Sequence, residues 1–491
     1  MSGPHSIVDN PGGAAAPAAQ VVPATVVVAN LRGDFLLTEA GINSAIAAIN
    51  AAGGGTIYLG EGTVAPAAPF TTITAPCKIV GAGRRATTIV PAAGINIFPV
   101  GAVSVYFSDF HVTGDEDTDQ RLFVLTASVT QSQTDWFIVE RVTIGNAIGV
   151  GVGRIKTVFD CAGFVRVFSV KDCTFNVRSA TDGANSRLIL DGASATFYMN
   201  DVIALFGAAI NACGTLNAKN CTLATSLSGI TISTAILVNS TISASGQTVT
   251  FSGGSNRVLS SSITATTFTV AGSAQIDDSS VSVTTLNANA DSVKIQNSQF
   301  LGTFSTSGFN NHVLRDNFMV SMGAPNVLLD DSTGCVVEGN TDCEVAESGT
   351  SDNNRYTKIT SASVIIGPSS IVEGAKKTQV TGAATPAAFA AVAGFPRTSV
   401  KGMVGIGTIK NTGANAMEVR EVVTDAFGVT VTTSPVVSVP AGGDYMLDPQ
   451  TNFTDGVLNA RPPYLSYSVE VRHPGAATTY DLQFTAQGTV I

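Results

Sequence analysis

From residue 105 onward the chain repeats one short phrase: an apolar, β-branched run with one or two small polar residues just before its last apolar position. It reads Ser108-Asp109-Phe110-His111-Val112, then Glu140-Arg141-Val142-Thr143-Ile144 and Asp172-Cys173-Thr174-Phe175. Asn200-Asp201-Val202, Asn220-Cys221-Thr222-Leu223, Asn239-Ser240-Thr241-Ile242 and Ser260-Ser261-Ser262-Ile263 follow. Asp278-Ser279-Ser280-Val281, Asn297-Ser298-Gln299-Phe300 and Asp316-Asn317-Phe318 complete the series. The apolar anchors fall at 112, 144, 175, 202, 223, 242, 263, 281, 300 and 318, so the step shrinks from about thirty residues to about nineteen. A period of that size, carried by short strands between Gly, Asn and Ser, predicts the turns of a parallel β-solenoid, in which each coil buries its apolar face only against its neighbours. The small polar residues suit turns, where Asn tolerates left-handed backbone and stacked Asn or Ser side chains hydrogen-bond along the stack. The shrinking step predicts a body that is wide at its start and narrows toward residue 340.

A solenoid end exposes strand edges and needs a cover. Thr38 to Ala52, "TEAGINSAIAAINAA", places Ile42, Ala45, Ile46 and Ile49 at i, i+3, i+4 and i+7, the apolar face of a capping helix. Thr38 is its N-cap and Gly53 its terminator. The strands Thr56 to Leu59 and Lys78 to Val80 then open the first coils, with the glycines around them as tight corners. Gly81-Ala82-Gly83 is not a phosphate loop, because no Lys-Ser/Thr pair follows it.

After Ile359 the phrase stops. A Gly-, Ala- and Pro-rich stretch predicts a linker or strap over 367–397, and longer alternating strands predict a β-sandwich over 398–491. Its strands are Lys401 to Ile409, Ala416 to Thr424, Val429 to Val439, Ser466 to Arg472 and Leu482 to Ala486. Residues 1–37 form an arm and 38–366 the solenoid with its capping helix. Tyr464 and Tyr467 beside Pro462-Pro463 either make a small interface or close the sandwich from inside, the latter being preferred.

Composition narrows the partners. Only 13% of the 491 residues are charged and the net charge is −10, which argues against nucleic acid, whose phosphates call for clustered Lys and Arg. No apolar run approaches the ~20 residues that span a bilayer, and the first 25 residues lack the pattern of a secretion signal, so a soluble chain without membrane insertion is expected. Seven cysteines, an odd number without C-x-x-C pairs, read as buried thiols of a protein assembled in a reducing cytosol.

"AINAAGGGTIYLGEGT" followed by "IVGAGRRATTI" resembles the opening of pectate-lyase-like parallel β-helix proteins, and "NNRYTKI" (Asn353 to Ile359) resembles their last coil. The resemblance covers roughly residues 38 to 360. It implies an all-β fold, a right-handed single-stranded parallel β-helix, and, because many such proteins are spikes or fibres of tailed bacteriophages, a homotrimer. Pectate lyases carry an Asp-His pair on an early strand and Ca²⁺-binding aspartates beside a basic proton abstractor. At the nearest equivalent this chain has Glu140-Arg141, which speaks against lyase activity.

His5, His111, His312 and His473 show no metal-ligand spacing, and no G-x-S-x-G elbow is present. The dense acidic run Asp115-Glu116-Asp117-Thr118-Asp119 follows the Val112 coil, with Asp109 and Glu140 on nearby coils. Asp115, Asp117 and Asp119 can chelate Ca²⁺, and a pair among Asp109, Asp115, Asp117 and Glu140 can supply the acid and the base or nucleophile of glycoside hydrolysis. The competing and preferred interpretation is a solvated loop on an acidic protein. Trp136 and Arg141 are the candidate glycan contacts, since a pyranose face packs on an aromatic ring. From 176 to 300 the coils look almost bare of Tyr, Trp, Lys and Glu.

The expected function is that of a structural virion protein of a tailed phage, a rigid tailspike, fibre or head-attached decoration assembled in the bacterial cytoplasm. It would dock to capsid, portal or tail proteins and face host surface polysaccharide. The alternative is a lyase or glycoside hydrolase that degrades that polysaccharide.

Overall fold

The computed structural model describes residues 24–114, 120–128, 136–145, 155–177, 186–207, 209–226, 228–320, 325–357, 361–364, 371–373, 375–395, 400–424, 430–447 and 466–490. The chain divides after Gln247 into two compact units. Each unit contains coils of a right-handed parallel β-helix, and each coil supplies strands to three parallel faces.

In the first unit a helix spans Glu39–Ala51. Thr38 adopts extended backbone and its side chain accepts from the Gly41 amide at 3.2 Å. Gly41, Ile42, Ala45, Ile46 and Ile49 are buried, and Gly53 carries the chain out of the helix at φ 79°, a left-handed conformation that costs glycine little. The apolar stripe therefore covers the end of the coil stack, as its spacing predicts. Ala24–Val28, inside the stretch read as an arm, is a strand paired in parallel with Gly55–Leu59. "ATVVV" is too short to announce itself, yet it buries Val26 and Val28 in register with Ile57 and Leu59.

The first face then stacks Cys77–Gly81, Val105–Ser108, Trp136–Glu140, Arg166–Lys171, Arg187–Asn200, Ile210–Lys219 and Ile230–Val238. Its register aligns Ile57, Ile79, Phe107, Val139, Val170, Met199, Ala218 and Leu237 as one inward column. The long early coils are filled by stacked phenylalanines, and Phe168 and Phe197 lie parallel at 4.2 Å. The shorter coils that follow need less volume, and Leu216, Ala218, Leu223 and Ala235 fill them. Gly81 has a packing role: a Cβ there would meet the Asp109 carbonyl oxygen of the next coil at 2.2 Å.

The repeated phrase marks one turn. Asp109, Arg141, Asp172, Asp201, Asn220 and Asn239 all have φ between 49 and 62°, the left-handed region. The next residue is buried, and it changes along the stack from Phe110 and Val142 through Cys173, Val202 and Cys221 to Ser240. Two anchors shift from the periodic reading. Phe175 aligns with Ala204 rather than Val202, and Phe300 with Met319 rather than Phe318, which is half exposed. In the first case the buried Val202 directly after the turn mimics the anchor, and in the second the half-exposed Phe318 does, so hydrophobicity alone selects the wrong position.

The second unit continues with the same turn at Ser260, Asp278, Asn297 and Asp316. Here the buried position is polar and forms a ladder. Ser261 N–H donates to Ser279 Oγ at 3.1 Å, Ser279 N–H to Ser298 Oγ at 3.1 Å, and Ser298 N–H to Asn317 Oδ1 at 3.0 Å. Asn317 N–H donates to Asn340 Oδ1 at 2.9 Å. A second turn runs in parallel: Val293 N–H donates to His312 Nδ1 at 3.3 Å and Cys335 N–H to Asn354 Oδ1 at 2.9 Å. Stacked Ser and Asn thus satisfy backbone amides that a buried turn would otherwise strand.

The coils end at Ile371–Glu373, and two antiparallel sheets follow. One contains Ala375–Ala384, Thr479–Val490, Val400–Asn411 and Asp444–Leu447; the other contains Ala390–Phe395, Ser466–Arg472, Met417–Thr424, Thr430–Thr433 and Val437–Val439. Ile409, Leu447, Leu482 and Phe484 from the first and Val419, Val423, Val469 and Val471 from the second share one apolar cluster. Ala375–Ala384 and Ala390–Phe395 lie in the stretch read as linker, so the antiparallel region takes in more chain than alternation indicates. Their alanine-rich sequence lacks the contrast between large apolar and polar positions that marks a strand.

All seven cysteines are free and buried. Burial raises the Cys77 and Cys173 thiols to about 12, which keeps them protonated and inert. Among the described residues no helix is long and apolar enough to cross a membrane.

Candidate functional site

Of the sequence candidates, Asp109, Glu140 and Arg141 are brought together, on the outer surface of the first face. Strands Val105–Ser108 and Trp136–Glu140 pair in register, so Ser108 lies beside Glu140, and the left-handed turn then sends Asp109 and Arg141 out from consecutive coils. Arg141 clasps Asp109 with two bonds, Nε to Oδ1 at 2.6 Å and Nη2 to Oδ2 at 2.7 Å. Its Nη1 reaches Glu140 Oε2 at 3.2 Å, and the same oxygen accepts from the Tyr106 hydroxyl at 2.9 Å. Asp172, the equivalent residue of the next coil, pairs with Arg84 at 3.0 Å. Over these three coils carboxylate, guanidinium and carboxylate therefore follow one another along the turn column.

The electrostatics follow from the clasp. The hydrogen bonds from Arg141 hold the Asp109 carboxyl below its ordinary range, and Asp109 in turn pushes the Arg141 guanidinium further up. Burial raises the Tyr106 hydroxyl, and its bond to Glu140 adds to the rise. His111 lies on the following strand, its Nε2 3.0 Å from Thr113 Oγ1, and burial lowers its pKa. A general acid for glycoside cleavage needs a raised carboxyl pKa and access to the leaving oxygen. Asp109 has the opposite shift, and the Glu140 oxygen that faces the cluster is already engaged twice. The arrangement fixes one coil on the next and presents ionised groups; it offers no poised proton donor.

Trp136 does not join this cluster. It sits half-buried on the same outer surface and meets Tyr198, with ring centroids 5.9 Å apart and planes tilted by 38°. Asp115, Asp117 and Asp119 lie outside the described residues, and so does Tyr464. Among the described residues no three metal-ligating side chains group together. Tyr467 lies in the apolar cluster of the antiparallel sheets, 3% exposed, and donates to Glu421 Oε2 at 2.6 Å; it is a core tyrosine rather than a surface contact.

Residue-type scanning missed Tyr106, Lys78, Lys171, Tyr198 and Lys219. All are legible once the left-handed residue is used as a ruler. Three places before it stand Tyr106, Ile138, Ser169, Tyr198, Asn217 and Ile236, one aligned outward column. One place before it stand Ser108, Glu140, Lys171, Asn200 and Lys219. Lys78 aligns with Tyr106, its Nζ 5.9 Å from the ring centre. Three aromatic rings and several polar side chains thus share one face of the first unit.

No family model matches the chain, and no curated protein matches it by sequence. Among solved structures it is similar to the mannuronan C-5 epimerase AlgE6 A-module of Azotobacter vinelandii, at 17% identity over 68% of this chain and 93% of that one, with a TM-score of 0.32. It is also similar to the enzymatically active domain of bacteriophage CBA120 tailspike protein 4, at 10% identity over 91% of this chain and 66% of that one, with a TM-score of 0.33. Pantoea stewartii WceF, described as a glycan biofilm modifying enzyme with a tailspike-like parallel β-helix fold, matches at 12% identity over 88% of this chain and 55% of that one, with a TM-score of 0.20.

Proposed function

We propose that this chain is a β-helical spike-type structural protein of a tailed-bacteriophage virion that contacts host surface polysaccharide along the outer face of its first unit. The observation that carries the proposal is the sharing of that face by Tyr106, Trp136 and Tyr198 with polar side chains at aligned positions. Sugar rings stack on aromatic faces while hydroxyls take hydrogen bonds from Asn and Lys, and strands hold such groups more rigidly than loops do. The phage assignment is supported by the opening and closing phrases of the solenoid. A homotrimer, docked to other virion proteins, belongs to the same proposal. Contact without cleavage is favoured because the Asp109 and Glu140 carboxylates are engaged by Arg141 and Tyr106.

The test is titration of purified protein with polysaccharide from a susceptible host. Trp136→Ala and Tyr198→Ala should each weaken binding by about tenfold, the scale of a lost aromatic contact. Unchanged binding in both variants overturns the reading. New reducing ends or unsaturated uronates that vanish in Asp109→Ala or Glu140→Ala establish the degrading enzyme instead.

A further inference from the structure

Beyond the clasp, on coils that look chemically empty in the sequence, Tyr198, Asn200, Asn217, Ala218, Lys219 and Ile236 line a small surface recess open to solvent. Its composition is specific: one aromatic face, two carboxamides and one ammonium, without a carboxylate. The neighbouring carboxylate, Asp201, lies outside this lining and accepts from Asn220 Nδ2 through Oδ1 at 3.1 Å.

The cations of this face fall into two groups. The arginines are used by the protein: Arg84 pairs with Asp172, and Arg141 with Asp109 and Glu140. Lys78 sits by the Tyr106 ring, and the other two lysines are not so used. Lys171 and Lys219 lie in one column on either side of Asn200, two coil spacings or roughly 10 Å apart. Among the described residues neither is in an ion pair, although the chain carries a net charge of −10. Asn200 and Val238, which flank Lys219 in register, bring no negative charge to it.

We propose that this recess is a subsite for an anionic sugar unit, with Tyr198 against the ring, Asn200 and Asn217 on its hydroxyls and Lys219 on its carboxylate or sulfate. Lys171, two rungs away, meets a second charge of the same polymer. The inference rests on the glycan-contact reading and adds the charge of the ligand to it.

The experiment measures binding of the full chain to polygalacturonate, carboxyl-reduced polygalacturonate, dextran sulfate and dextran at low and physiological salt. Expected is retention of at least one acidic polymer over its uncharged counterpart, weakened by salt, with about a tenfold loss in Lys219→Met, the scale of one charge-assisted hydrogen bond. Lys294→Met, on a lysine of the second unit, should leave binding unchanged. Preference for polygalacturonate identifies a carboxylate, and preference for dextran sulfate identifies a sulfate. Equal binding of charged and uncharged forms, no binding of any polymer, or an unchanged affinity in Lys219→Met overturns the proposal. If host polysaccharide still binds and still depends on Trp136, the glycan-contact reading survives that failure; if it does not, both fall. Lys219 points outward from a strand, and a thermal melt matching the parent shows that the variant is folded.

Discussion

The first coils of the first unit and the coils of the second build the same turn from different chemistry, the change beginning at Ser240, whose Oγ accepts from Cys221 N–H at 3.1 Å. In the early coils the residue after the left-handed position is Phe110 or Val142, fully buried, and the polar work is done outside by Asp109, Arg141 and Glu140. In the later coils that inner residue is Ser261, Ser279, Ser298, Asn317 or Asn340, and each takes the amide of the coil before it or passes its own amide on. A long coil has an interior broad enough for phenylalanines, so its turn can be sealed by apolar volume. The later coils hold phenylalanines in their interior as well, Phe251 and Phe268 among them, but not at this turn, where the buried amide is met by an acceptor of small size. The corner is therefore closed by apolar volume in the early coils and by hydrogen bonds in the later ones.

The largest effects should come from exchanging these solutions. Phe110→Ala removes a ring packed against Phe98 and Phe107 and should cost about 3–5 kcal/mol in denaturant-induced unfolding. Asn317→Ala strips the acceptor of Ser298 N–H and the donors to the Ile295 carbonyl and Asn340 Oδ1, for a loss of about 2–4 kcal/mol. Asn317→Ser, which copies Ser298, should recover part of that loss. If Asn317→Ser is as damaging as Asn317→Ala, the ladder is not what seals the later turns.

His312 sharpens the comparison by making one rung of the second ladder titratable. Its Nδ1 accepts from Val293 N–H, so Nε2 carries the proton and donates to Thr306 Oγ1 at 3.0 Å. Burial lowers its pKa to about 4, while the Asp291 charge pulls the other way. The unfolded chain thus binds a proton before the folded one does as pH falls. Stability on this account is constant above the ordinary value of 6.5 and declines between 6.5 and about 4, by roughly 3 kcal/mol at most. His312→Asn keeps an acceptor for Val293 N–H, as Asn354 does for Cys335 N–H, and should flatten that part of the pH profile. An unchanged profile in His312→Asn rules the rung out as the source.

The solenoid was legible because its repeat unit is also its turn: the same Asp, Asn or Ser that tolerates φ near 50° announces each coil. Two anchors slipped because Val202 and Asn317-Phe318 offer hydrophobicity near the anchor and the interior position is a small Ala204 or a flexible Met319. The strands at 24–28 and 375–395 stayed hidden, the first by brevity and the second by alanine content. The clasp was half legible. Asp109, Glu140 and Arg141 stand out as charges in a chain with few, but Tyr106, Tyr198 and Lys219 acquire meaning only through register, since nothing in their local sequence sets them apart from other outward positions.

The smallest effect belongs to the clasp itself, and it separates adhesion between coils from the seal of the turn. Arg141 is a long side chain in left-handed backbone, φ 52°, where the equivalent positions of later coils hold Asn220 and Asn239. Its side chain is 41% exposed and that of Asp109 23%, so water screens most of the attraction and the pair should be worth no more than about 1 kcal/mol. Arg141→Ala should lose up to that amount, less at high salt. Arg141→Asn gives up the ion pair but accepts the left-handed backbone more readily, and it should fall within about 0.5 kcal/mol of the parent. A loss of several kcal/mol in Arg141→Ala that persists at high salt would place the clasp among the seals of the turn, beside Phe110, and remove the distinction between outer charge and inner packing in the early coils.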